Sequence, residues 1–210
     1  MIELFGSALV TFLVIIDPPG CAPIFASLTR GTPLAHRRTM AIRSSVIAWA
    51  ILMFFALLGR PLLGWLGISL ASFRIAGGIL LFYIAVDMVL ERRTQRREER
   101  AHSIEGTPHA EDISVFPMAM PMITGPGSIA SAMLWVSRAE DPLHIAVVLA
   151  AITVVILITM ITLLAAGPLM KLIGDKVEAA ITRILGVILA ALAAQFVIDG
   201  LKQSFPHVLG

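Results

Sequence analysis

The sequence predicts an all-α integral membrane protein. It reads as six transmembrane helices forming two inverted three-helix repeats, with spans 1 and 4 broken at mid-membrane. Three observations predict this. Of the 210 residues, 58% are hydrophobic and 14% charged, with a mean hydropathy of +0.90, whereas soluble domains carry about 25% charged residues. Apolar blocks of about 20 residues recur, the length that crosses a roughly 30 Å hydrocarbon layer. Two of these blocks carry Pro-Gly interruptions at matching places, Pro19-Gly20 and Pro126-Gly127.

Span 1 covers about Ile2 to Leu28. Adjacent Pro18 and Pro19 remove two backbone donors and disfavour helix at Asp17, and Gly20 permits close approach. The helix should stop and restart there, with a carboxylate at the break. A basic loop follows, holding Arg30, His36, Arg37 and Arg38. Span 2 covers about Met40 to Leu58, with a connection from Gly59-Arg60-Pro61 to Gly67. Span 3 runs from Ser69 to Leu90. Span 4, Ile113 to Val136, is interrupted at Gly125-Pro126-Gly127. Span 5 covers Leu143 to Ala166, Gly167-Pro168 through Asp175 reconnects, and span 6 covers Ala179 to Gly200. The organisation is thus a first repeat over 1–90, a charged cytoplasmic linker over 91–112, and a second repeat over 113–210. The N-terminal segment lacks a basic stretch and a small-residue cleavage site, so it is expected to be a retained span, not a signal peptide.

Charge sets the expected orientation. Arg30, Arg37, Arg38, Arg43, Arg92, Arg93, Arg96, Arg97, Arg100, Lys171, Lys176 and Arg183 fall on the side reached after spans 1, 3 and 5. Only Arg60, Arg74, Arg138 and Lys202 fall opposite. Cytoplasmic loops are rich in Lys and Arg, so both termini belong outside the cytoplasm. A shift of 107 positions lays Pro19-Gly20 on Pro126-Gly127 and Arg60-Pro61 on Gly167-Pro168. A shift of 109 lays Arg74-Ile75-Ala76-Gly77 on Arg183-Ile184-Leu185-Gly186. Each unit has an odd number of spans, so the second must enter from the opposite face. Paired interrupted segments in such repeats point to a transporter's binding site.

A broken helix exposes carbonyls at one end and N–H groups at the other, carrying roughly −0.5 and +0.5 of a charge. Two facing breaks suit a zwitterion, with its carboxylate on half-helix N-termini and its ammonium on carbonyls and Asp17. Small or apolar flanking residues (Cys21, Ala22, Ser128, Ile129, Ala130) favour a small uncharged side chain on the ligand. The substrate-binding set is therefore Asp17, Pro18, Pro19, Gly20, Cys21, Thr124, Gly125, Pro126, Gly127 and Ser128. An intramembrane acid is a functional hypothesis by default, which makes Asp17 the candidate coupling group; a local helix cap is its structural alternative and is compatible. Tyr83 and Gln195 are candidate cavity-lining residues, with interhelical hydrogen bonding as the alternative. Asp87 sits near a span end, where an interfacial or Arg-paired role is expected. Gly77, Gly78 and Gly186 are expected to allow close helix packing.

The stretches Asp17-Pro18-Pro19-Gly20-Cys21-Ala22-Pro23-Ile24-Phe25, Arg74 to Leu80 and Pro121-Met122-Ile123-Thr124-Gly125-Pro126-Gly127-Ser128-Ile129 together resemble the MarC family of bacterial and archaeal inner-membrane proteins. The likeness extends over essentially all six spans. It implies kinship with amino-acid exporters of the LysE type and transport, by import or export, of small neutral amino acids such as glycine and alanine, linked to an ion gradient. It also implies Asp17, Pro18, Gly20, Thr124, Gly125 and Gly127 as site residues.

The expected partners are a small neutral amino acid, a coupling ion (a proton in preference to sodium) and the lipid bilayer; a homo-oligomer is compatible with all of this. No cofactor is expected. A single cysteine, Cys21, excludes an intrachain disulfide and a Cys-based metal site. A net charge of +2, with arginines confined between apolar blocks, argues against nucleic acid. An enzyme is not expected, since no residue set reads as catalytic and no Gly-x-Gly-Asp, His-Glu-x-x-His or Gly-x-Ser-x-Gly pattern occurs. The spans are too apolar to line a channel. The alternative reading is a non-transporting membrane assembly or stress factor.

Overall fold

A computed structural model describes residues 1–92, 96, 99, 112–139, 141–173 and 175–205, without the side chains of 170–176 and 178. Most of the predicted linker, including Arg93, Arg97 and Arg100, lies outside the described residues. Those described form helices and no strand. The helices are α1 Ile2–Ile16, α2 Pro18–Leu28, α3 Leu34–Trp65, α4 Leu70–Val89, the π-type α5 Ser114–Ile123, α6 Pro126–Ser137, α7 Pro142–Leu164, α8 Ala166–Ile173 and α9 Asp175–Ser204.

Among the described residues five runs are long and apolar enough to cross a membrane: Ile2–Leu28, Leu34–Trp65, Leu70–Val89, Pro142–Leu164 and Ala179–Ser204. The segment expected as span 4 is instead two shorter helices of 10 and 12 residues. Phe116 and Met120 in α5 have extended dihedral angles, and each precedes a proline, whose ring pushes its predecessor out of the helical region. Span 2 also differs from expectation. The helix begins at Leu34, inside the expected basic loop, and continues through Pro61 to Trp65; the proline leaves one carbonyl of the preceding turn without its bond but does not end the helix. The expected reconnection after Gly167 contains helix α8.

The broken segments occupy the centre. Within the Ile2–Leu28 run 72% of the most apolar window is buried, against 28–39% for the other four. Every residue of α6 from Ala130 to Ser137 is buried as well. Irregular backbone at membrane depth survives only where protein or water surrounds it, so the unbroken helices α3, α4, α7 and α9 stand outside and meet the lipid.

The principal pairings exchange when the halves are swapped. The first broken segment packs on α7 and α9, the second on α3 and α4; α4 packs on α9 and α3 on α7. Antiparallel α4 and α9 approach closely because glycines remove side chains at three levels. A Cβ on Gly78 would lie 2.9 Å from Ala193 O, one on Gly186 3.2 Å from Ala85 O, and one on Gly200 3.0 Å from Ala71 O. The small residues thus recur at a heptad interval on both helices, the pattern of a tight membrane helix pair.

Candidate functional site

At the first break the chain is interrupted by one residue. Asp17 takes the left-handed conformation (φ 57, ψ 66), which non-glycine residues adopt at a cost of roughly 1–2 kcal/mol. Its N–H closes α1 on Leu13 O at 2.9 Å, and its carbonyl accepts the first bond of α2 from Cys21 N–H at 3.1 Å. The carboxylate Oδ1 accepts the Gly20 N–H at 3.2 Å, and Thr182 of α9 donates its hydroxyl toward the same oxygen from 3.5 Å. Asp17 is 1% exposed. Pro18 and Pro19 start α2 where no donor is needed, so this break is capped from within.

The second break is wider. Thr124 (φ −100, ψ 56) and Gly125 separate α5 from α6. The Thr124 hydroxyl turns back to Ala119 O at 2.6 Å, and Gly125 at the N-cap offers no side chain to the first turn of α6. The first intrahelical bond there is Ile129 N–H to Gly125 O at 3.2 Å, so the Gly127 and Ser128 donors precede the helical ladder.

The two breaks share a detail. Cys21 Sγ lies 3.5 Å from Ile16 O, and the Ser128 hydroxyl donates to Ile123 O at 2.9 Å. Each side chain reaches back five residues to the last carbonyl of the preceding half-helix, and the paired positions differ by 107.

A cavity of about 220 Å³ opens beside the second break. Its walls are Pro121 and Met122 of α5, Gly125, Pro126, Gly127 and Ser128, Ile15 of α1, and Leu80, Tyr83, Ile84 and Asp87 of α4, with Arg96 at its edge. Gly127 lets α6 pack closely on α4 and α1 beside the cavity, since a Cβ there would meet Ile84 Cδ1 at 2.5 Å and Ile15 Cγ2 at 3.5 Å. Asp87, 6% exposed, pairs with the Arg96 guanidinium. Arg96 also donates to the Tyr83 hydroxyl at 2.8 Å and lies 5.4 Å from that ring's centroid. The cavity therefore has helix donors on one wall and an acid beside an aromatic ring on another.

Residues 2–205 match the model described as the MarC family integral membrane protein. The chain belongs to the MarC family. It is 35% identical over 202 residues to a UPF0056 membrane protein of Archaeoglobus fulgidus, covering 96% of this chain and 94% of that one. It is 32% identical over 195 residues to the membrane protein YhcE of Escherichia coli, covering 93% and 90%. With the Bacillus subtilis membrane protein YvbG it shares 31% over 202 residues, covering 94% and 93%. No solved structure matches.

In this MarC-family chain the sequence-derived residues divide between the two breaks. Gly125, Pro126, Gly127, Ser128 and Tyr83 line the cavity. Asp17, Pro18, Gly20, Cys21 and Thr124 are buried, and Pro19 half-buried, without lining it. Gln195 lies on α9, where its amide donates to Asp199 Oδ1 at 2.6 Å. Asp87, expected to be Arg-paired near a span end, is so paired but also faces the cavity. The signal was present: Tyr83 and Asp87 are four residues apart, which puts them on one face of a helix. Thr182, by contrast, meets Asp17 across 165 positions, and no local pattern announces it. Among the described residues no cluster of three His, Cys, Asp or Glu could hold a metal.

Proposed function

We propose that this multi-pass membrane protein is a secondary transporter of small neutral amino acids such as glycine and alanine, driven by a proton gradient across the cell inner membrane. The observation that carries this reading is the cavity of about 220 Å³ between the α6 N-terminus and Asp87. It falls below the roughly 300–1,000 Å³ typical of sites for drug-sized ligands, which favours a small substrate. The two walls suit the two poles of a zwitterion. Its carboxylate is set against the Gly127 and Ser128 donors, and its ammonium against Asp87 and the Tyr83 ring, where Arg96 now lies. Asp17 is the coupling carboxylate in this reading, beneath the cap it provides.

The same reading takes the halves as an inverted repeat of three spans each, with α5 and α6 together forming the sixth span. The exchange of packing partners between halves supports it, as does the shared bond from Cys21 and Ser128 to the preceding carbonyl. Both termini lie on the non-cytoplasmic side, and the bulk of the cationic residues on the other. Single cysteines in a Cys21→Ala background test this: Ile2→Cys and Phe205→Cys should label from outside whole cells, and Glu99→Cys should not.

Function is tested by uptake of radiolabelled glycine and alanine into proteoliposomes under an imposed pH gradient. The wild type should show gradient-stimulated flux, Asp17→Asn should lose the stimulation, and Asp87→Asn should raise KM. Absence of flux for every small amino acid would sink the transport reading and favour a membrane assembly factor. Flux in Asp17→Asn with its stimulation intact would leave Asp17 as a cap alone.

A further inference from the structure

The start of α3 is unusually basic. Helix N-termini attract acids, because the first N–H groups carry partial positive charge. Here Pro33 gives no side-chain cap and the first turn holds no acid. The first intrahelical bond is Arg37 N–H to Pro33 O at 3.0 Å, so the donors before it have no helical acceptor. Arg37 and Arg38 add two cations at the same place.

Arg37 is held in position. Its guanidinium carbon lies 5.7 Å from the Phe25 ring centroid. The backbone of α8 passes so close that a Cβ on Gly167 would lie 3.4 Å from both Nη1 and Nη2. Nη2 is buried and has no hydrogen-bond partner. Among the described residues no carboxylate pairs with Arg37 or Arg38. A cavity of about 230 Å³ opens beside them, walled by Leu34, Leu164, Gly167 and Pro168. Arg37 as a whole is half-buried, but a buried donor without an acceptor is unfavourable, and the orphaned Nη2 and the uncapped helix start lack the same thing, an acceptor that a negative group supplies.

We infer that this cavity, between the start of α3 and the α7–α8 junction, is a phosphate-binding site built around Arg37 and Arg38. Guanidinium forks suit phosphate oxygens, which accept bidentate hydrogen bonds. Basic pockets between membrane helices take anionic headgroups in this way. The phosphate comes from an anionic phospholipid or from free phosphate, and the site stands apart from the cavity at the second break, independent of any transport activity.

The test is thermal unfolding of the full-length protein in neutral detergent, titrated separately with phosphatidylglycerol, phosphatidylcholine and inorganic phosphate. Phosphatidylglycerol should raise Tm saturably, and phosphatidylcholine, whose headgroup is net neutral, should not. Arg37→Gln should weaken the apparent affinity about fivefold or more. Arg38→Gln should weaken the affinity in the same direction and guards against misfolding of the first variant. Arg30→Gln, in the neighbouring loop and outside the cavity, should leave the titration unchanged. A saturable response to inorganic phosphate alone, lost in Arg37→Gln, would support the site with free phosphate as its ligand. Equal lipid responses in wild type, Arg37→Gln and Arg38→Gln would overturn it. So would equal weakening by Arg30→Gln, which would mean only diffuse attraction of a basic surface.

Discussion

The two breaks begin from similar sequence and end in different structures. At the first, Asp17 supplies a carboxylate to the N–H of Gly20, and α1 and α2 form one buried, self-capped rod with a single residue out of helix. At the second, the position equivalent to Asp17 is Thr124. Its hydroxyl bonds backward to Ala119 O, Gly125 brings no side chain, and the first turn of α6 keeps its donors beside a cavity. A break that caps itself has fewer free helix donors to offer a ligand. A break that leaves its cap position bare has helix donors to offer a ligand. The residue that looks most functional in isolation, a buried intramembrane acid, therefore sits at the closed break.

The sharpest way to break this contrast is to force apart the helices that wall the second break. In Gly127→Val the new Cβ would start 2.5 Å from Ile84 Cδ1. Glycine uptake in proteoliposomes should vanish, while unfolding in detergent shows a loss of about 1–3 kcal/mol, the usual range for overpacking. Retained uptake would remove the second break from the transport site. Removing the caps should have the next largest effect. Asp17→Ala strips a buried cap and should lower stability by about 1–2 kcal/mol, whereas Thr124→Ala loses one back-bonded hydroxyl, about 0.5–1.5 kcal/mol. If Thr124→Ala proves the more damaging, the breaks do not differ as described.

A reciprocal exchange then probes what the breaks share. Cys21→Ser and Ser128→Cys each keep a donor aimed at the preceding carbonyl, so both proteins should unfold within about 1 kcal/mol of wild type. A larger loss at either place would mean that the two positions are not equivalent. The smallest expected effect lies away from both breaks, at the start of α7. The Asp141 carboxyl is held below its ordinary value first by the His144 backbone N–H, which donates to it at 2.7 Å, and then by the His144 side chain. A depressed folded-state pKa contributes stability above the unfolded value, lost as pH falls through the folded one. Asp141→Asn should therefore lower Tm slightly at neutral pH and flatten the Tm decline on the acid side. An unchanged acid limb would show that the carboxylate adds nothing there.

Much of this was legible in one dimension. Membrane class, the helix blocks and both breaks follow from composition, periodicity and proline chemistry, and the 107-residue shift seen in sequence reappears in the bonds of Cys21 and Ser128. The failures have local causes. A proline removes one backbone bond without necessarily ending a helix, so α3 runs through Pro61 past its predicted limit at Leu58. The Phe116-Pro117 and Met120-Pro121 steps divided span 4 more deeply than Gly125-Pro126-Gly127 alone suggested. Polarity within a span marks Gln195 as a cavity candidate, yet its partner is Asp199, one turn along the same helix.

What the sequence determined by itself is what neighbours along the chain govern: the membrane class, where most of the helices run and where the two breaks fall. Only the tertiary structure decided which break is open and which groups face it. Burial and cavity shape depend on contacts such as Asp17 with Thr182 and Gly127 with Ile84, between residues that lie far apart in the chain. A local pattern records which residues are able to act; the packing of α1, α4 and α6 against one another decides which of them reach the same space.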